Sequence, residues 1–329
     1  SMGGFPTLEQ LRVQMNSLKT RYPFFLHGPN QVGTTRQGRP IELWCIASSG
    51  TDCEQQSSKP TALFTALVHA REPQTLMCVL RTVEVLLADG ASKKDSIMSN
   101  ILQTRKLLVL LVANPDGYAW NAATSPRGGG MRRKNGLKTC SSSGKTANDG
   151  VDLNRNFGYK WGYNSVGSSS RGCSEEYRGT SAFSEPETQA IRAIAKTHKP
   201  AAILHWHGWG NDLAFPYSYA FSAALARSDL SLFQEFAKEM TARNGYASGR
   251  AWEVVGYTTN GEADDWGWGD EHIPSFTMEV GSSRDGFWPP PSRILPIAQE
   301  SVWPATYLLG AAGAQLQIDS LTLFKPSGA

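Results

Sequence analysis

The chain has 329 residues, of which 40% are hydrophobic and 19% charged, and its 32 Lys and Arg against 29 Asp and Glu leave a formal charge of +3. This is an ordinary folded globular composition, long enough for two average domains or for one large α/β domain. No apolar run approaches the ~18 residues of a membrane span, and Lys and Arg are scattered except at Arg132-Arg133-Lys134, which excludes a helical membrane anchor and a nucleic-acid footprint.

Residues 1–4, Ser1-Met2-Gly3-Gly4, lack the charged-then-apolar pattern of a signal peptide and read as a vector-derived, flexible start. The folded domain is expected over 5–312 and an extension over 313–329. Leu8, Leu11, Met15 and Leu18 recur at helical spacing, predicting an amphipathic helix over Leu8 to Tyr22. Pro40 to Ala47 and Thr61 to Val68 read as strands. Pro73 to Ala88 reads as a helix with its proline in the first turn, where the missing N–H costs nothing, and Cys78 within it reads as a buried small hydrophobe. Leu107 to Val112 suits a strand buried on both faces and ends in the turn signal Asn114-Pro115-Asp116-Gly117.

From Gly128 to Arg178 the chain is rich in Gly, Ser, Asn and Arg without periodicity, too long for an ordinary connection and therefore expected to serve function. Ser184 to His198 then reads as a helix with Ser184 as N-cap and Glu187 completing a capping box. Ala201 to Leu204 leads as a strand into His205-Trp206-His207-Gly208. Leu230 to Asn244 is a helix, Ile273 to Val280 a strand, Ile294 to Leu309 the last long helix, and Gln315 to Phe324 alternates like a strand. Strands alternating with helices define an α/β layered domain. Of five cysteines at least one stays unpaired. Cys45 and Cys53 flank a turn and either pair or remain reduced, whereas a bridge at Cys140 and Cys173 would pin the long loop excursion.

His69-Ala70-Arg71-Glu72 is the most informative stretch, because an imidazole and a carboxylate three residues apart at the end of a strand aim at one point, the geometry of a zinc site. A catalytic zinc takes three protein ligands and leaves one position open, so a distant third ligand is needed. His205 and His207 share a strand face, and both are open to that role. Other ordered motifs follow: Asn114-Pro115-Asp116-Gly117-Tyr118, Arg133-Lys134, Val151-Asp152-Leu153-Asn154-Arg155-Asn156, Cys173-Ser174-Glu175-Glu176-Tyr177, His207 with Pro216-Tyr217, Tyr257 ahead of Asp265-Trp266, and Met278-Glu279-Val280. Together they resemble the zinc carboxypeptidases of the pancreatic A/B type over nearly the whole chain.

The resemblance implies a single three-layer α/β domain whose mixed, mainly parallel eight-stranded twisted sheet lies between helices, with the site at the strands' carboxyl ends. It implies one Zn²⁺ held by His69, Glu72 and His207, the nine-residue step from His207 to Pro216 matching the family's register. Zinc would lower the pKa of a water toward ~7, with Glu279 as general acid–base and Arg133 as donor to the oxyanion. Asn154 and Arg155 match the pair that grips the substrate's terminal carboxylate, which restricts cleavage to the last peptide bond. Arg71 offers a secondary contact, Tyr257 covers the substrate's end, and Phe287 falls at the rim. Asp264 at the pocket base and Ser218 at its wall resemble the Lys/Arg-cleaving members; the alternative is a broad or apolar pocket shaped by Ala214, Gly256, Thr259 and Thr277. Cys140–Cys173 matches the family's disulfide. Also implied are a secreted or vacuolar/lysosomal monomer made as a zymogen and acting on peptide or protein C-termini. A cell-wall-peptide hydrolase of the same family and an inactive peptide-binding relative are the competing readings.

Overall fold

The computed structural model describes residues 1–55, 57–92, 96–140 and 146–313. The N-terminal half runs α1 (Leu8–Arg21), β1 (Leu26–Thr34), β2 (Pro40–Ile46), β3 (Thr61–Thr65), α2 (Pro73–Ser92), α3 (Ile97–Thr104), β4 (Lys106–Leu110) and α4 (Pro115–Thr124). After a long irregular segment come α5 (Pro186–His198), β5 (Ala202–His207), β6 (Asp212–Phe215), α6 (Arg227–Thr241), β7 (Ala247–Arg250), α7 (Ala251–Val254), α8 (Ala263–Gly269), β8 (Ser275–Glu279), α9 (Pro291–Glu300) and α10 (Val302–Ala311). The strands form one open eight-stranded sheet, ordered β1-β2-β4-β3-β5-β8-β6-β7. Four of its seven pairings are parallel and three antiparallel, the mixed sheet expected.

Alternation along the strands splits the core into two layers. Ala62, Phe64, Leu204, Trp206 and Phe276 pack against α1, α2, α6, α9 and α10, whereas Leu63, Leu108, Leu110 and Ile203 pack against α5, α8 and the irregular segment's Leu153 and Phe157. The irregular segment thus contributes Leu153, Phe157 and Phe183 to one layer of the core. Cys140–Cys173 bridges it, Cys45–Cys53 is also bonded, and Cys78 is free and buried.

Several sequence expectations shift. Asn114-Pro115-Asp116-Gly117 opens α4 instead of closing a turn: Asn114 Oδ1 accepts the Gly117 N–H at 2.9 Å, and Pro115 takes the first helical position. Ser184 does not cap α5; the helix begins at Pro186, and the Ser184 hydroxyl donates instead to Glu185. The last long helix is two, because Pro304 has no N–H to bond the Glu300 carbonyl and the run breaks at Ser301. Pattern reading overlooks β1, since Gly28, Pro29 and two register shifts interrupt it, features tolerated on an edge strand. Met2, expected in a flexible start, is buried at 1% exposure and exchanges backbone hydrogen bonds with Phe5. The strand expected over 315–324 lies outside the described residues.

One close approach joins the irregular segment to the loop before α8. Gly261 has φ 76°, and its carbonyl accepts the Phe157 N–H at 3.0 Å. A methyl group there would sit 2.5 Å from the Arg155 carbonyl oxygen. Gly261→Ala is therefore expected to cost about 2 kcal/mol or more in urea unfolding, through both the left-handed backbone and the displaced Arg155 turn.

Candidate active site and metal centre

β3, β5 and β8 are adjacent and parallel, and their carboxyl ends supply His69, His207 and Glu279. Leu67, at φ 51°, turns the chain out of β3, a left-handed conformation that costs a β-region residue ~1 kcal/mol or more. Surrounding bonds hold it there: Thr75 Oγ1 accepts the Leu67 N–H at 3.0 Å, and the Leu67 carbonyl accepts from Asn114 N–H at 3.0 Å. The following turn is tied to residues 132–133, with Ala70 N–H donating to the Arg133 carbonyl and Asn121 Nδ2 donating to the Ala70 and Arg132 carbonyls.

That framework brings three ligand-type groups together. His69 Nδ1 lies 3.0 Å from Glu72 Oε1 and 3.0 Å from His207 Nδ1, and His207 Nδ1 lies 3.3 Å from Glu72 Oε2. All three side chains are buried, and their donor atoms fall within 4.8 Å of one another. Ligands on a tetrahedral zinc at ~2.0–2.2 Å are themselves about 3.3–3.6 Å apart, so this donor set fits such an ion with a small outward adjustment. Burial alone would raise the Glu72 carboxyl, but the two imidazoles beside it hold it well below the ordinary carboxylate range. His205, the alternative on β5, is elsewhere: its Nδ1 meets Thr65 Oγ1 at 2.8 Å, and burial pushes it down to about 3.

Asp152 organises the surroundings of the cluster. Its Oδ1 lies 3.1 Å from His69 Nε2 and accepts the Asn154 N–H at 3.0 Å, while Oδ2 accepts from Arg133 Nε and Nη2 at 3.0 and 2.9 Å. Burial opposes its charge, but Arg133, Arg155 and His69 hold it well below the ordinary range. A carboxylate on the far nitrogen of a metal-binding imidazole fixes tautomer and ring orientation. Arg133 presents its remaining Nη1 to His69 Nδ1 at 3.2 Å and to Glu72 Oε1 at 3.8 Å, so it borders the His-Glu-His cluster. Its neighbours Arg132 and Lys134 are not solvated: both are buried and donate to carbonyls, Arg132 to Asp149 and Thr146, Lys134 to Gly172 and Ser174.

The cluster forms one end of a cavity of about 440 Å³. Arg133, Asn154, Arg155, Tyr257, Asp264 and Glu279 line it, as do Arg71 and Phe287 at the rim, where the Arg71 guanidinium lies 4.3 Å from the Phe287 ring and 3.0 Å from Glu175. Ser218 does not line it. Its backbone N–H donates to Asp265 at 2.8 Å, and its carbonyl holds the cavity residue Thr259. Arg155 Nη1 donates to Glu262 Oε1 at 3.0 Å, and Asp264 Oδ2 is buried with no hydrogen-bond partner. Burial, with Glu262 nearby, pushes the Asp264 carboxyl up to about 8. Glu279, at the half-buried end of β8, is held well above the ordinary range by burial and by Glu72 and Asp212.

Three site residues escape sequence reasoning. Asp152 stands inside a quoted motif, but nothing in its spacing marks it as the partner of His69. Asp212 pairs across the sheet with Glu279, and burial pushes it up to about 6; its strand is only four residues long and leaves no pattern. Glu262 precedes α8 and resembles an ordinary helix-start acid.

A buried His-Glu-His donor set beside arginines, in a cleft at the carboxyl ends of parallel strands, defines a metal-dependent hydrolytic centre. Residues 11–303 match the model of a family described as zinc carboxypeptidase. Carboxypeptidase A2 of Rattus norvegicus is 30% identical over 302 residues, covering 90% of this chain and 67% of the relative. Carboxypeptidase B of Bos taurus is 30% identical over 284 residues, 84% of this chain and 63% of the relative. Among solved structures, carboxypeptidase A from Helicoverpa armigera superposes with a TM-score of 0.76 at 28% identity, covering 94% of this chain and 74% of that one. The chain belongs to the zinc carboxypeptidase family, an enzyme family of metallocarboxypeptidases.

Removing the Asp152 carboxylate should loosen the cluster. Asp152→Ala is expected to weaken zinc binding by about 10–100-fold in competition with a chromogenic chelator, the usual worth of a carboxylate behind a ligating imidazole.

Proposed function

We propose that this chain is a zinc carboxypeptidase that removes single residues from peptide C-termini and prefers Lys or Arg in the last position. The observation that carries this reading is the meeting, in one cavity, of the His69-Glu72-His207 cluster, the Asn154-Arg155 pair and the buried carboxylate of Asp264. When bound, zinc supplies a Lewis acid that activates a water near neutral pH. Glu279 takes a proton from that water on its carboxylate and passes it to the leaving amine, a task suited to a carboxyl held above its usual range. Arg133 Nη1 donates to the oxyanion while its other nitrogens stay on Asp152. Asn154 and Arg155 receive the terminal carboxylate with Arg71 as an outer contact, Tyr257 closes over it, and Ser218 acts through Thr259. Asp264 receives the basic side chain. The two disulfides fit an oxidising compartment, and we extend the reading to a secreted monomer made as a zymogen, the catalytic unit covering 5–312.

The test is release of the last residue from otherwise identical peptides ending in Lys, Arg, Leu, Phe or Glu, with and without a chelator. Chelation should abolish release, Lys and Arg should lead, and equal rates for Lys and Leu would defeat the basic pocket while leaving the peptidase. Glu279→Gln is expected to retain zinc in elemental analysis but to lose about 10²–10⁴-fold in kcat; near-normal turnover removes Glu279 from its role.

The pocket also sets a pH dependence. Asp264 must be ionised to pair with a cation, and in the empty pocket it is protonated below about pH 8. The ratio of kcat/KM for Lys over Leu peptides should therefore rise with pH and level off above about pH 8. Asp264→Asn should flatten that rise and lower the ratio; a pH-independent ratio in the parent enzyme overturns the assignment.

A further inference from the structure

The groups assigned to the substrate's carboxylate already hold one. Glu262 occupies the N-cap position of α8 yet makes no side-chain bond to its own helix. Asn154 Oδ1 takes the Ala263 N–H instead, at 3.0 Å, and the Glu262 carboxylate turns to Arg155 Nη1 at 3.0 Å and Asn154 Nδ2 at 3.4 Å. Glu262 is 8% exposed and lines the same cavity as Asp264, two residues on. Arg155 Nε is held by the Gly167 carbonyl and Nη1 by Glu262, so a substrate carboxylate that takes Nη1 together with Asn154 Nδ2 displaces Glu262.

Among the described residues, the displaced carboxylate has no other cation to turn to along the cavity. Three guanidinium groups line it, and each is matched to an acid: Arg71 to Glu175, Arg133 to Asp152 and Arg155 to Glu262. A C-terminal residue with an apolar side chain would take Arg155 and leave Glu262 buried and unpaired, an arrangement that strongly opposes binding. One with a basic side chain brings an anion for Arg155 and a cation for Glu262 together. Every charge then keeps a partner.

We propose that Glu262 is a specificity-determining residue that works by exchanging ion partners: the substrate's terminal carboxylate takes Arg155 and Asn154 from it, and the same residue's ammonium or guanidinium takes Glu262. This rests on the carboxypeptidase reading and adds to it that two acids, Glu262 and Asp264, read the base. It also makes Glu262 an internal competitor that raises KM for neutral C-terminal residues.

The test compares zinc-loaded parent enzyme with Glu262→Gln on peptides differing only in a final Arg or Leu. Losing the charge should lower kcat/KM for Arg about tenfold or more, the worth of one buried charge-assisted hydrogen bond, and should lower KM for Leu because the competitor is gone. A merely structural role predicts that both substrates suffer, so parallel losses, or no change in either, overturn the exchange. Asp264→Asn gives a second measurement that leaves Glu262 in place. Free arginine should still inhibit this variant about tenfold better than citrulline, its neutral isostere, because one charged reader remains. Equal inhibition would show that Asp264 reads the base alone and would also overturn the exchange. A parent enzyme with no preference for Arg over Leu instead fails the basic pocket itself, a result separable from either of these.

Discussion

The site depends on Asp152, a fully buried carboxylate that touches an imidazole, a guanidinium and the backbone of the turn carrying Asn154 and Arg155. An uncompensated charge at that depth would be prohibitive, and the compensation is what orders the neighbourhood. His69 is oriented, Arg133 is held with one nitrogen facing the cluster, and the short helical turn Leu153–Arg155 is capped, all by two oxygens. Catalytic geometry and local folding share one electrostatic solution.

The sheet supplies the other half. Strands β3, β5 and β8 hold their ends at the fixed spacing of a parallel ladder, so His207 and Glu279 stand at paired positions while the turn after β3 carries His69 and Glu72 inward. Opposite them, among the described residues, the chain is irregular apart from the short turn Leu153–Arg155, and buried side chains satisfy some of its carbonyls. Arg132 and Lys134 do there what a ladder does in a sheet, and the Cys140–Cys173 bridge closes the same region.

Much of the architecture was legible because it follows periodicity: α1, α2, β3, β4 and β5 lie close to where apolar spacing puts them. The failures share a cause. Asn114-Pro115-Asp116-Gly117 uses the same residues to start a helix as to make a turn, and only the chain that follows decides. The His-Glu-His cluster could be anticipated because His69 and Glu72 are close in sequence and family register selects His207 over His205. Asp152, Asp212 and Glu262 could not, since their significance lies in which distant cation or carboxylate they face. Ser218 shows the converse: its register sits at the pocket, yet its backbone rather than its hydroxyl is engaged.

The spread of the ligands along the polypeptide has a consequence for how the molecule matures. His69 and Glu72 leave the ribosome first, but His207 emerges 138 positions after His69, and Glu279 later still. Neighbouring parallel strands that distant close only after long loops have been drawn in, which makes this part of the sheet slow to assemble. A nascent chain thus lacks the complete His-Glu-His constellation until β5 has been synthesised, and the donor set is assembled only when that strand docks beside β3.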